Sequence, residues 1–149
     1  MSARIASSKR LIVAEPPPAF RVRLPLTLDC SVLAALVLAE PRADESSAMS
    51  VNRELHAPAV IDYEIVNVAT RKASVGNRDQ IASALRLYAE LSVGLHPIDL
   101  VETFAIARRY AISACDPAYL WLAGDLRTPL ATFDARLGQA ARKYPGSLQ

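Results

Sequence analysis

Apolar and polar runs alternate along this chain in a way that predicts strands and helices in turn. Leu24 to Leu28 form a short apolar run that ends at Asp29, and after the polar Ser31 a second apolar run extends from Val32 to Ala39. A run of about five apolar residues suits a buried parallel strand, and VLAALVLA suits a helix laid upon it. The same pattern predicts a helix over 43–53 and a very short strand over 55–57. Pro58 fits the first turn of a long helix that reaches about Ser74 and is ended by Gly76. From Arg78 to Leu91, Ile81, Ala84, Leu85, Tyr88 and Leu91 share one face of an amphipathic helix. A strand over 92–97 follows, then a helix from Asp99 to Tyr110 and another opened by Asp116-Pro117 and closing near Gly124. A strand over 130–133 and a helix over 135–144 complete the series, while Pro145 and Gly146 weigh against a fifth strand. Strands alternating with helices mean an α/β fold with a parallel sheet covered on both faces.

The apolar share of 52% over 149 residues fits one domain with a sizeable core and excludes wholesale disorder. No apolar run is long enough to span a membrane. Cys30 and Cys115 are too few for a disulfide framework or a zinc pattern, and read as bystanders of a reducing, cytoplasmic protein. A secretory signal with Arg21 and Arg23 before Leu24–Leu38 is the rival reading, but Asp29 in the middle of that segment makes it costly.

Charge divides the chain. Residues 1–23 hold Arg4, Lys9, Arg10, Arg21 and Arg23 against Glu15 alone, a net charge of +4, and include Pro16-Pro17-Pro18. They read as a basic, extended leader, with 11–14 able to add an edge strand. The body over 24–144, with a short tail at 145–149, is slightly acidic, so the basic pI does not make it a nucleic-acid binder.

Candidate chemistry lies in four acids. Asp29 and Asp134 each end a strand, and Asp116 opens a helix. All three therefore stand at helix amino ends, where a carboxylate caps the helix and suits its dipole; capping alone would explain each of them. Asp29 also lies at the carboxyl edge of a sheet, where open α/β folds place ligands. Glu64 differs, because Val60, Ile61 and Val68 surround it on the helix, with Asn67 one turn on. A charge beside an apolar face needs an arginine partner or a metal. Together the four suggest an all-oxygen site for a hard divalent cation, magnesium or manganese. His56 and His96 read as isolated surface or loop residues.

The segments LTLDCSVLAAL, PAVIDYEIVNV, ISACDPAYLWLA and LATFDARLGQAA, over about 24–143, resemble in order and spacing those of PIN-domain proteins, especially VapC toxins. The matching positions are Asp29 with Ser31, Glu64 with Asn67, Asp116, and Thr132 with Asp134. The leader over 1–23 departs from the family pattern, which commonly begins just before the first strand. The resemblance implies a three-layer α/β/α sandwich with a short central parallel sheet. It also implies a metal-dependent endoribonuclease held in check by a cognate antitoxin, and a homodimer. Asp29, Glu64 and Asp116 would be the principal Mg2+ ligands and Asp134 a weaker one, with Ser31, Asn67 and Thr132 supporting them. The competing reading is a non-catalytic α/β binding or signalling module whose acids cap helices and pair with arginines. A receiver-type domain would want an acidic pair where Asp29-Cys30-Ser31 offers one acid.

Overall fold

Four strands, all parallel, form one sheet in the computed structural model, which describes residues 22–113 and 115–145. They are β1 (Leu24–Leu28), β2 (Arg53–Pro58), β3 (Val93–His96) and β4 (Leu130–Ala131), in the spatial order β3-β2-β1-β4. Leu26 stands opposite Leu55 on one side, and Leu28 opposite Ala131 on the other. Seven helices connect and cover the sheet: α1 (Cys30–Val37), α2 (Ala43–Ser50), α3 (Ile61–Ala73), α4 (Arg78–Glu90), α5 (Leu100–Tyr110), α6 (Asp116–Asp125) and α7 (Ala135–Lys143).

The chain steps outward from β1 to β3, then jumps back past β1 to β4. Right-handed crossovers therefore set α1–α4 on one face and α5 and α6 on the other. The contacts agree: α1 touches α2, α3 and α4, whereas α6 touches β1, β2 and β4 and lies beside α5 and α7. The result is a three-layer α/β/α sandwich. Its strand order reverses between β1 and β4, and the crevice at the carboxyl ends of such a pair is where open sheets hold ligands.

Leu28, Leu33, Ile61, Ile65, Tyr119, Leu120 and Leu137 are fully buried between the layers. Each such side chain stabilises the fold by about 1.5–3 kcal/mol relative to exposure. The carboxyl end of β1 is thus gripped from both faces.

Several boundaries differ from expectation. The helix expected over 43–53 stops at Ser50, because Asn52 turns the chain with φ 58° and Arg53 already pairs with Leu24. Pro58 closes β2 rather than opening a helix, and α3 begins at Ile61. The last strand is two residues instead of four: the Phe133 amide donates to Ser31 Oγ and not to a strand carbonyl, beside the Thr132 hydroxyl that donates to Asp29. His56 and His96 are not isolated. They sit on the adjacent strands β2 and β3 with Nδ1 of one 3.0 Å from Nε2 of the other. Gly94, opposite His56 in the register, leaves the space they occupy.

No strand follows α7 among the described residues. The leader, its possible strand at 11–14 and the end of the tail lie outside them. Among the described residues no helix is long and apolar enough to cross a membrane.

Candidate active site

Asp29 ends β1 and is 5% exposed. Its Oδ1 accepts from Ser31 Oγ at 2.6 Å and from the Val32 amide at 3.1 Å, and its Oδ2 accepts from Thr132 Oγ1 at 2.6 Å. The Val32 bond caps α1, as the sequence allows. Both hydroxyls are relays: Ser31 Oγ accepts from the Phe133 amide, and Thr132 Oγ1 accepts from the Asp134 amide, each at 2.9 Å. Two chains of hydrogen bonds thereby sew the end of β4 to the end of β1. Burial pushes the Asp29 carboxyl above its ordinary range, and the bonds from Ser31, Thr132 and Val32 pull it back toward the ionised form.

Asp134 is exposed and caps α7, its Oδ1 accepting from the Leu137 amide at 2.8 Å. Asp116 is the first residue of α6, and the cap position belongs to Cys115, so its carboxylate closes no cap. Its pKa is pushed up to about 6, first by burial and then by the charges of Asp134, Asp29 and Glu64, with Arg136 opposing. That list of neighbours places all four acids in one electrostatic neighbourhood. Asp116 is the point where their repulsion is felt.

Glu64 sits half-buried in the first turn of α3, and its Oε2 accepts a hydrogen bond from the Tyr119 hydroxyl. Tyr119 is 1% exposed and lies one turn beyond Asp116 on α6. A buried tyrosine hydroxyl needs an acceptor, and the only sequence signal for its role was its place in the apolar run of that helix. Beside Glu64 opens a cleft of about 400 Å3, lined by Cys30, Ser31, Glu40, Glu64, Asn67 and Arg71, among others. Asn67 is exposed there and makes no hydrogen bond to Glu64. Arg71, two turns along α3 from Glu64, escaped the sequence reading.

The arginine partner expected for a structural Glu64 does not appear. Among the described residues the ion pairs are Arg42–Glu45, His56–Glu54 and Lys72–Glu40, and none includes Asp29, Glu64, Asp116 or Asp134. Burial and the nearby acids push the Cys30 thiol up to about 12 and the Cys115 thiol to about 11, so neither is a ready nucleophile.

The donor set is all oxygen, crowded with negative charge and unpaired with cations, which fits a hard divalent ion by chemistry. As the side chains stand, no three His, Cys, Asp or Glu among the described residues converge closely enough to grip one. Asp116 and Asp134 keep lone pairs free for such an ion, whereas both Asp29 oxygens are already engaged.

Residues 26–143 match the profile of the PIN domain. Ribonuclease VapC3 of Pyrobaculum aerophilum is 30% identical over 127 residues, which cover 80% of this chain and 95% of that protein. Among solved structures, PAE2754 from Pyrobaculum aerophilum superposes with a TM-score of 0.65 at 20% identity, covering 85% of this chain and 89% of that one. VapBC2 from Rickettsia felis, bound to a DNA fragment from their promoter, gives 0.57 at 10% identity, covering 84% and 96%. At those identities the two structures speak to the fold alone.

Proposed function

This chain belongs to the PIN-domain family, and from that premise we propose that it is a metal-dependent endoribonuclease, the toxin of a type II toxin–antitoxin pair. It hydrolyses RNA phosphodiesters at the edge formed by Asp29, Glu64, Asp116 and Asp134, with Mg2+ and in its place Mn2+. The observation that carries this reading is the placement of Asp116, half-buried at the start of α6 without a capping role, where burial and the charges of Asp134, Asp29 and Glu64 outweigh Arg136 and push its carboxyl up to about 6. Helix capping accounts for Asp29 and Asp134 but not for Asp116, which caps nothing, nor for Glu64, which has no cation within ion-pair distance among the described residues. The name of the relative from Pyrobaculum aerophilum, a ribonuclease, supports the same class of reaction.

A divalent ion held by these residues would supply a water made nucleophilic at neutral pH and would offset charge on the leaving oxygen. The chain's own part is orientation. Ser31 and Thr132 fix the Asp29 carboxylate and oppose the upward push that burial gives its pKa. Tyr119 fixes Glu64. Asp116 and Asp134 bring their charge to the amino ends of α6 and α7, where the dipoles tolerate it.

The antitoxin would silence this edge by placing a Lys or Arg among the carboxylates. Tyr63 and Val66 on α3 and Leu87 on α4 are exposed and would receive its apolar side chains. A homodimer working in the cytoplasm completes the proposal. Cleavage of labelled RNA by purified protein with Mg2+, with Mn2+ and with chelator tests it, beside Asp29→Asn and Asp116→Asn. Loss of cleavage in chelator and in both variants is expected. Cleavage at the wild-type rate by either variant would refute the assignment.

A further inference from the structure

A groove of about 410 Å3 opens between α7 and the end of α5. One wall is a single face of α7, formed by Arg136, Gln139, Ala140 and Lys143; the other is the end of α5, from Arg109 to Ile112. Its charged lining is entirely cationic: Arg109, Arg136 and Lys143. Among the described residues none of the three is ion-paired. An anionic occupant would answer three cations whose groove contributes no acid of its own.

Arg136 stands where the two charge zones meet. It lies two residues beyond Asp134, and its charge acts on Asp116. Its guanidinium Nη2 donates to the Ala111 carbonyl at 3.4 Å, at the carboxyl end of α5, where the helix dipole favours a cation. Ala111 has φ 52°, and this left-handed turn lies at the C-cap of α5. From Arg136 to Lys143 the groove follows α7 for about 10 Å, at 1.5 Å per residue. That is about three stacked nucleotides at 3.4 Å each. The Arg109 guanidinium lies 5.6 Å from the centre of the Tyr110 ring, so a flat apolar surface borders the cations.

We propose that this groove is the track for the substrate's phosphate backbone, leading a single-stranded RNA along α7 to the acids. The proposal rests on the ribonuclease reading and assigns Arg109, Arg136 and Lys143 to phosphate contacts. Such contacts carry no sequence information and set where the strand lies. They also explain how a slightly acidic body holds a polyanion: cations are gathered along one groove rather than spread over the surface.

Binding is separable from cutting. The full chain carrying Asp116→Asn, in chelator, is titrated with a labelled oligouridylate over a range of salt and followed by fluorescence anisotropy. Adding Arg109→Gln and Lys143→Gln should weaken binding and lower the slope of log K against log salt by about 1.4, or about 0.7 per lost contact. Adding Arg136→Gln should lower it by about 0.7 more. Arg78→Gln with Arg86→Gln on α4 serves as a control of equal charge loss and should leave the slope near its starting value. Thermal melts report whether each variant folds, and the single variants Arg109→Gln and Lys143→Gln stand in for any that does not. An unchanged slope in the groove variants overturns the track and leaves the nuclease reading intact. Unchanged RNA binding with lost capture of an acidic antitoxin segment overturns it in favour of a protein occupant. Absence of any RNA cleavage by the wild-type chain would instead strike at the ribonuclease reading, which the anisotropy does not measure.

Discussion

Thr132 donates its hydroxyl to Asp29 Oδ2 at 2.6 Å across 103 residues of sequence. Thr132 Oγ1 in turn accepts from the Asp134 amide, so one small side chain orients two of the four acids. Thr132→Val keeps the shape and removes both bonds. A hydrogen bond to a charged group contributes about 1.5–3 kcal/mol, and the variant should lose about that much stability. Its Asp29 should become harder to ionise, because a bond that favoured the carboxylate is gone. Thr132→Ser should restore most of both properties. Chemical denaturation and cleavage rates of the three proteins check this, and wild-type behaviour of the valine variant would refute it.

The raised pKa of Asp116 sets a pH dependence with a definite sign. An unperturbed aspartate titrates near 3.9, so between about 4 and 6 the folded chain holds this proton more tightly than the unfolded one. Acid therefore favours folding through this group, and its ionisation weakens the metal-free fold as pH rises through 6. Asp116→Asn should melt higher than wild type above pH 6 in chelator, with the difference fading to nothing below about pH 4. A constant difference across that range would mean that neither burial nor the neighbouring acids raise this carboxyl.

Much of this arrangement was legible in the sequence, and the reason is periodicity. The runs at 24–28 and 32–39 carry the β1–α1 unit, and Asp29 falls at their junction for the same reason that a strand must end before a helix begins. The length of β4 was not legible, because Thr132 and Phe133 look like strand residues until Asp29 and Ser31 compete for them from a hundred residues away. Pro58 fits a strand end as well as a helix start, and only its pairing with His96 decides. Nor could Glu64 announce Tyr119 as its partner. Local spacing speaks about one helix, and that bond joins α3 to α6.

Glu64→Gln tests that partnership. Glutamine retains an acceptor for Tyr119 and removes one negative charge, so the metal-free variant should melt at the wild-type temperature or higher. Added Mg2+ should stabilise wild type by about 2.7 kcal/mol at a hundredfold excess over Kd, and the variant should lose most of that gain. Had Glu64 anchored a buried ion pair, its removal would cost about 3–5 kcal/mol with or without metal. Melts of both proteins in chelator and in Mg2+ distinguish the two cases.

Gly94→Ala probes the histidine pair. The added Cβ would lie 3.0 Å from His56 Nδ1 and 3.4 Å from His96 Nε2, so the rings must part and their hydrogen bond must lengthen. A loss of about 1 kcal/mol is expected, the worth of one hydrogen bond. Urea denaturation reads it. Adding His96→Ala to the glycine variant should recover part of the loss.

The bond between Thr132 and Asp29 also fixes an order in time. A ribosome delivers Asp29 long before Thr132, and at about 5–20 residues per second the interval is about 5–20 s. Until then β1 lacks the neighbour that pairs with Thr27 and Leu28, Asp29 lacks its second hydroxyl donor, and Asp134 has not been made. Contacts between residues so distant in sequence are also among the slowest to form in any fold. A ribonuclease of the proposed kind is born on a machine built of RNA, attached to its own message. On that proposal, drawing the cutting edge from both ends of the domain would leave the nascent chain without its full set of acids at least until residue 134 has been added.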